Sequence, residues 1–577
     1  MCRRLVPDFC EEGGMPADIV ELMTRKLGKL EPAQLALELM RLPAKRRVEL
    51  IVGRPDARSV IAALDANDFF YTVLDIGPDD SLPVLALAGL EQLNHLFDIE
   101  WWRKDTLQPA KALAWMDRLW RAGGPNLLEW LSTADFELLV SLLKHWITVD
   151  TAPDDIDLLE AAENLPAKTL DDLYFWESRY PQYDDLINHM LTTIFEVNYG
   201  FFKELLNSVL NLSTSEVEET AYHFHRARLA DHAVPDFYDA MEIYRAIGPD
   251  EFGSKIIPES EGDVEPRPSF ALALLSEGDL FGRVVRRIED PGLTETLQME
   301  MAALANKVIV ADQLRPDNAE ALRGAVEKTL AYLNLGLELR SGANIEKASA
   351  IVRDNFLEHL FRLAQAEVSR IRGRLRATVA SGWLSQCPTG IKFLDSEWGD
   401  AADELLGKTP RILKSYPGES DSAPLPSYDF FRTPQDLDRG RHIVDVIAAA
   451  GEIYRLLGLD IGEIGPKLWS EGQVHAQEDI TLGIAVLTAA ANFLIGGKWE
   501  VEPLSYRSWP KVFSFLQPPD IDAAVMDWVH RGLGPERRSL AQAYLTPLLR
   551  DYDFEMRPFS ERNPPEPALV KFFMFSE

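Results

Sequence analysis

Residues 30–64 read LEPAQLALELMRLPAKRRVELIVGRPDARSVIAAL, and apolar residues recur there every three or four positions. This spacing is typical of helices that bury one face. Proline or aspartate stands near the start of each run. Proline is tolerated in a first helical turn, and aspartate accepts hydrogen bonds from the free backbone amides there. The stretch therefore predicts a succession of short helices.

The same punctuation continues to about residue 100. Helices this short are unstable alone and must pack on neighbours. We therefore predict a superhelical stack of short helices over residues 15–150. The pair Trp101-Trp102 is predicted to anchor the core of this stack, and the alternative is an exposed contact surface. The predicted helical runs are PAQLALELMR, PAKRRVELIV, DARSVIAAL, NDFFYTVL, SLPVLALAGL and EQLNHLFDIE.

Residues 30–100 resemble the superhelical N-terminal domain of magnesium transporters and, more distantly, the N-terminal region of the flagellar switch protein. The shared pattern is a Leu-Pro step followed by a short helix and an aspartate. The membrane helices of the transporter have no counterpart in this sequence. As a whole, the chain resembles a family of large bacterial proteins of unknown function, and that resemblance implies no activity.

Helical patterns fill the rest of the chain, so the predicted fold class is a mainly α, multi-domain helical array. Val, Phe, Trp and Tyr near the C-terminus indicate a few short strands there. Residues 1–14 are predicted to be disordered or untranslated, with Met15 as the true start. The predicted segments are the stack at 15–150, a second helical block at 151–247, an acidic linker at 248–268, and a C-terminal helical domain at 269–577 with a long loop at 406–440.

The charge balance disfavours two classes of partner. The chain carries 92 acidic and 59 basic residues and a net charge of −33, which repels nucleic acids and anionic membrane surfaces. Its most apolar stretch, 481–495, is shorter than the roughly 20 residues needed to cross a bilayer, so we predict a buried helix and no membrane insertion. Only three cysteines occur, which favours a reducing, cytoplasmic location.

Sequence motifs imply no cofactor. The chain has no phosphate-binding loop, dinucleotide turn, nucleophile elbow, HExxH, paired CxxC or EF-hand loop. Cys387 is predicted to be buried and structural, because no histidine lies near it in sequence. The basic run RIRGRLR, residues 370–376, is predicted to be a solvated helix face paired with internal acids.

The densest group of candidate functional residues lies in EVEETAYHFHRARLADHAVPDFYDAMEIY, residues 216–244. On a helix, Glu218, His225 and His232 fall on one stripe, whereas Glu219 and His223 form an i, i+4 pair on the adjacent face. Carboxylates and imidazoles at such spacing can bind a metal or transfer protons. The alternative is a polar helix face on which histidines pair with acids.

A weaker candidate pair is His475 and Glu478, one helical turn apart in EGQVHAQEDI. These two side chains could orient each other for general base catalysis. The alternative is that this segment only caps the apolar helix that follows.

Three functions remain open from the sequence. The first is a protein–protein interaction, scaffold or regulatory protein with protein partners, and the second is an enzyme with a site, possibly metal-dependent, around the 218–232 helix. The third is a regulatory sensor whose two halves close on a small ligand about the linker at 248–268. A 218–232 stripe that faces a cleft would favour the enzyme, and one on an outer surface would remove the best argument for chemistry.

Overall fold

A computed structural model describes residues 17–151, 165–247, 252, 255, 266–387, 389–415, 427–459, 479–560 and 563–576. The chain forms two compact units, Met1–Arg362 and Leu363–Glu577. The boundary between these units does not coincide with a boundary of the predicted segments, and the predicted boundaries stay predictions. The predicted mainly α fold is confirmed, because helices dominate both units.

From residue 17 to residue 146, the described start of the first unit contains ten helices, and each of the six predicted runs in residues 30–100 forms one of them. Pro32 occupies the first turn of its helix, as expected. Asp65 caps the helix that begins at Ala66 by accepting a hydrogen bond from the backbone N–H of Asn67 at 2.8 Å. The superhelical arrangement of these helices stays a prediction. The helices are α1 (Ala17–Leu27), α2 (Pro32–Leu39), α3 (Ala44–Val52), α4 (Ala57–Ala62), α5 (Ala66–Ile76), α6 (Leu82–Leu85), α7 (Leu90–Glu100), α8 (Pro109–Ala122), α9 (Asn126–Thr133) and α10 (Phe136–Trp146).

The tryptophan pair lies in the core, as predicted. Trp101 is buried, its ring is stacked on Phe97 at 4.3 Å between centroids, and it meets Trp130 edge to face at 5.3 Å. Trp102 is also buried and begins a short antiparallel pair, β1 (Trp102–Arg103) with β2 (Thr106–Leu107). These rings join α7 to α9 through apolar and aromatic contacts.

A three-stranded antiparallel sheet follows, in addition to the short strands that the sequence indicates near the C-terminus. Its central strand, residues 174–178, lies between the strands at 147–151 and 168–169, and Trp176 is opposite Val149 on one side and Lys168 on the other. Short strands leave only a weak alternating pattern, which the surrounding helical periodicity obscures. The strands are β3 (Ile147–Thr151), β4 (Lys168–Thr169) and β5 (Tyr174–Ser178).

The described remainder of the first unit is mainly helical. Residues 266–268, the described C-terminal end of the predicted acidic linker, precede the helix that begins at Phe270. The helices are α11 (Asp184–Val197), α12 (Tyr199–Asn211), α13 (Thr214–Asp231), α14 (Phe237–Met241), α15 (Phe270–Ala273), α16 (Leu280–Val285), α17 (Pro291–Ala311), α18 (Ala319–Ser341), α19 (Ile345–Asp354) and α20 (Leu357–Ala380), the last of which continues into the second unit.

The second unit corrects the predicted loop at 406–440. This segment contains an antiparallel strand pair and the start of a 23-residue helix at Pro434. Thr433 and Asp436 form a capping box there, so the proline opens a helix. The elements are α21 (Ser396–Leu406), β6 (Ile412–Ser415), β7 (Ser427–Asp429), α22 (Pro434–Leu456), α23 (Leu482–Gly496), β8 (Leu504–Ser505), α24 (Trp509–Val512), α25 (Pro518–Gly532), α26 (Pro535–Met556) and β9 (Phe575–Ser576).

Several smaller predictions are confirmed in the second unit. Strands β8 and β9 pair in parallel and lie in the C-terminal part of the chain, where short strands were predicted. Cys387 is buried, and burial raises the pKa of its thiol to about 11. In the basic run, Arg370 pairs with Glu367 and Arg374 pairs with Asp445. No helix among the described residues combines the length and apolar character required to cross a membrane.

Candidate functional site

Helix α13 presents two different faces. His225 is only 4% exposed and Glu218 is half-buried, whereas Glu219 and His223 are exposed. One residue advances a helix by about 100°, so positions 218 and 225 share a side that 219 and 223 do not. The structure thus turns Glu218 and His225 of the predicted stripe towards the protein interior. It leaves the i, i+4 pair, Glu219 and His223, on the solvent side of the helix.

The buried face of α13 is tied to α7 through Asp98. One carboxylate oxygen of Asp98 lies 3.2 Å from Nδ1 of His225. Arg228 donates to both oxygens, from Nε at 2.7 Å and from Nη2 at 2.8 Å, and it also pairs with Asp135. Burial alone would raise the pKa of Asp98, but these hydrogen bonds hold it below its ordinary value. Asp98 is therefore a buried carboxylate whose charge is compensated.

Two of the predicted residues make separate contacts. Glu218 Oε1 lies 2.6 Å from Nε2 of His145 on α10. The ring of His225 also stacks on Trp102, with 4.8 Å between centroids. The first contact pairs an acid of α13 with a histidine of α10, and the second adds a ring contact to the pairing of His225 with Asp98.

His232 lies just beyond the C-terminal end of α13. A backbone hydrogen bond from Val234 N–H to the Leu229 carbonyl, 2.9 Å long, closes the helix, and Ala233 adopts a left-handed conformation with φ of 58°. His232 Nε2 is 3.9 Å from Glu91 Oε1. Its ring packs on the edge of His95, with 4.5 Å between centroids.

His95 is the most unusual polar group near this helix end. It lies on α7 and is 1% exposed, and neither of its ring nitrogens has a hydrogen-bond partner within the described structure. Burial, together with the neighbouring His232, lowers the pKa of His95 to about 3. The ring is therefore neutral near pH 7 and offers one N–H donor and one lone pair. A buried polar group without a partner costs about 1–3 kcal/mol, so His95 calls for a functional explanation.

His95 and His232 line a polar cavity of about 670 Å³ in the first unit. The wall comprises the start of α5 with the residue before it, one side of α7, the end of α13, the 266–268 segment and α17. The lining residues are Asp65, Asn67, Glu91, Asn94, His95, Asp98, Arg228, Asp231, His232, Ala233, Pro266, Arg267, Pro268 and Met299.

Asp68 on α5 holds the 266–268 wall in place. Its carboxylate accepts hydrogen bonds from Ser269 N–H at 2.8 Å, Ser269 Oγ at 2.7 Å and Phe270 N–H at 2.8 Å. Burial and the nearby Asp65 raise the pKa of Asp68 to about 7, although these hydrogen bonds oppose the shift. This single side chain links two segments that are about 200 residues apart in sequence.

The sequence missed most of the cavity. Asp65, Glu91, His95 and Asp98 were not among the predicted site residues. A signal does exist in EQLNHLFDIE, where Gln92, His95 and Asp98 recur every third residue on a helix whose other positions are largely apolar. Buried polar residues at that spacing indicate a special site. The weaker candidates His475 and Glu478 lie outside the described residues.

The described part of the chain offers no group of three or more His, Cys, Asp or Glu side chains that could hold one metal ion. The cavity instead provides hydrogen-bond donors and acceptors, together with several carboxylates. Such an arrangement can bind and orient a small polar molecule.

No curated protein and no solved structure shows detectable similarity to this chain. The resemblance of residues 30–100 to magnesium transporters stays a prediction. One family model, described as a family of unknown function (DUF6178), matches residues 24–576. The predicted resemblance to a family of unknown function is thereby confirmed, and the chain belongs to DUF6178.

Proposed function

We propose that the first unit binds a small polar ligand in the cavity beside His95, and that the protein acts as a ligand-responsive regulatory protein. His95 is the observation that carries this proposal. Its ring lies in the cavity wall with both nitrogens buried and without partners, and once the ring turns towards the cavity a bound ligand would supply the missing hydrogen bonds.

Thermal unfolding in the presence of small polar metabolites tests this proposal. A ligand present at 100 times its dissociation constant stabilises the folded state by about 2.7 kcal/mol, which raises the unfolding temperature by a few degrees. We expect at least one compound to shift the wild type and to lose its effect in His95→Leu. His223→Leu, on the exposed face of α13, is the matched control and should respond like the wild type. Equal shifts in all three proteins would contradict the proposal.

A protein–protein interaction role is the second candidate, and one observation supports it. Helix α14 exposes three large apolar or aromatic side chains: Phe237, Tyr238, which is 82% exposed, and Met241. Exposed aromatic residues are common at interaction hot spots. The variant Tyr238→Ser should lose a partner that the wild type recovers, and a partner set unchanged by this substitution would count against the role of α14.

Two further parts of the sequence interpretation remain proposals. An enzymatic role around the Glu218–His232 region would use His232 and the cavity, since Glu219 and His223 are on the solvent side of α13. A cytoplasmic location is supported by the scarcity of cysteine among the 577 residues.

A further inference from the structure

We propose that the ligand of this cavity is a small aliphatic amine, bound in its protonated form. This inference rests on the proposed ligand-binding function and adds the chemical class of the ligand. It follows from the charges of the wall, from the hydrogen-bonding capacity of His95 and from the apolar part of the lining.

The two arginines of the wall are already engaged in ion pairs. Arg228 binds both oxygens of Asp98 and also contacts Asp135. Arg267 pairs with Glu295. The positive charge of a guanidinium held in this way is already balanced, so it attracts an anionic ligand only weakly.

Three lining carboxylates remain beyond these pairs: Asp65, Glu91 and Asp231. Asp65 is committed to its helix cap, where it accepts from Asn67, and burial raises its pKa above the ordinary value. Glu91 lies at the cavity with its side chain 78% exposed and one oxygen 3.9 Å from His232. The wall therefore carries an excess of negative charge, which favours a cationic ligand and repels an anionic one.

His95 supplies the second, independent reason. A neutral imidazole has a lone pair on one nitrogen, and an ammonium group has three N–H donors and no acceptor. Once the His95 ring turns towards the cavity, an ammonium group there can satisfy its lone pair, and Glu91 or Asp231 can balance the ammonium charge. Met299 and Pro268 add apolar surface suited to a methylene chain.

Isothermal titration calorimetry at pH 7.5 with three four-carbon probes tests the ligand class. The probes are 1,4-diaminobutane, 1,4-butanediol and succinate, which have similar length and carry positive, zero and negative charge. We expect saturable one-to-one binding of the diamine, and binding of the other two that is at least tenfold weaker.

Variants distinguish this site from general attraction of cations to an acidic protein. Glu91→Gln should weaken diamine binding about tenfold, and His95→Leu should weaken it by a similar factor. Glu219→Gln makes the same charge change on the solvent face of α13 and should leave the affinity within about twofold. Equal effects of Glu91→Gln and Glu219→Gln, or binding that does not saturate, would overturn the proposal and indicate counterion attraction only.

Failure of this inference and failure of the proposed function give different results. Tighter binding of butanediol or succinate that still depends on His95 would overturn the amine assignment and keep the ligand-binding function. If none of the three probes binds, and no metabolite shifts the wild type differently from His95→Leu, both are overturned.

Discussion

The buried imidazole of His95 has a direct consequence for stability as a function of pH. Its pKa is about 3 in the folded protein, whereas histidine in an unfolded chain titrates near 6.5. Below pH 6.5 the unfolded state binds a proton that the folded state does not. The stability associated with neutral His95 is therefore fully present above pH 6.5 and is lost as the pH falls towards 3.

We predict that α7 opens more easily at pH 5 than at pH 7, by about 2 kcal/mol from this residue, since each pKa unit corresponds to about 1.4 kcal/mol. Hydrogen exchange of α7 peptides, corrected for intrinsic rates, measures the change. His95→Leu should lack this part of the pH dependence, and His223→Leu should keep it. The same pH dependence in wild type and His95→Leu would contradict the prediction.

Ala233 provides a second prediction for a single residue. It occupies the left-handed position that ends α13, with φ of 58°, where a side chain is disfavoured by about 1–2 kcal/mol relative to glycine. We expect Ala233→Gly to raise the free energy of unfolding by about 1 kcal/mol. Ala230→Gly, at an exposed helical position three residues earlier, should lower it by about 1 kcal/mol. Urea unfolding measures both, and a destabilised Ala233→Gly would contradict the assigned backbone conformation.

Among helices, the contact between α7 and α13 depends on the Asp98–Arg228 pair. The sequence predicted both helices and the stripe on α13, because a 3.6-residue period is a local property. It did not predict that Asp98 would receive Arg228, since the two residues are 130 positions apart. Pairing over such a separation is determined by tertiary packing, which leaves no local sequence pattern.

Removal of Arg228 alone should be severe. Arg228→Met leaves the carboxylate of Asp98 buried without its main partner, and we expect a loss of about 3–5 kcal/mol in the free energy of unfolding of the first unit. Combining Asp98→Asn with Arg228→Met should recover part of that loss, because no charge then remains buried. Arg226→Met, at an exposed position on the same helix, should cost less than about 1 kcal/mol. Urea denaturation compares the four proteins, and a double variant no more stable than Arg228→Met would contradict the interpretation.

For the whole molecule, net charge is the dominant property that can be read directly from composition. A charge of −33 creates repulsion within the folded chain that dissolved salt screens. We predict that the thermal unfolding temperature rises by a few degrees between about 0.02 and 0.2 M NaCl at pH 7.5. The same salt step near the isoelectric point, about pH 4.8, should have a much smaller effect. A decrease at pH 7.5 would show that attractive ion pairs outweigh the repulsion.

The sequence by itself determined the helical class of this protein, the positions of its N-terminal helices, the burial of Trp101 and the absence of familiar catalytic motifs. These properties depend on local periodicity and composition, which each segment carries alone. Only the tertiary structure decided which polar residues share the cavity. His95 and His232 are far apart in sequence, and Asp68 positions the 266–268 wall from another helix. The physical reason is that burial and hydrogen-bond partners belong to the packed chain, so an unpartnered imidazole can be recognised only once its surroundings are known.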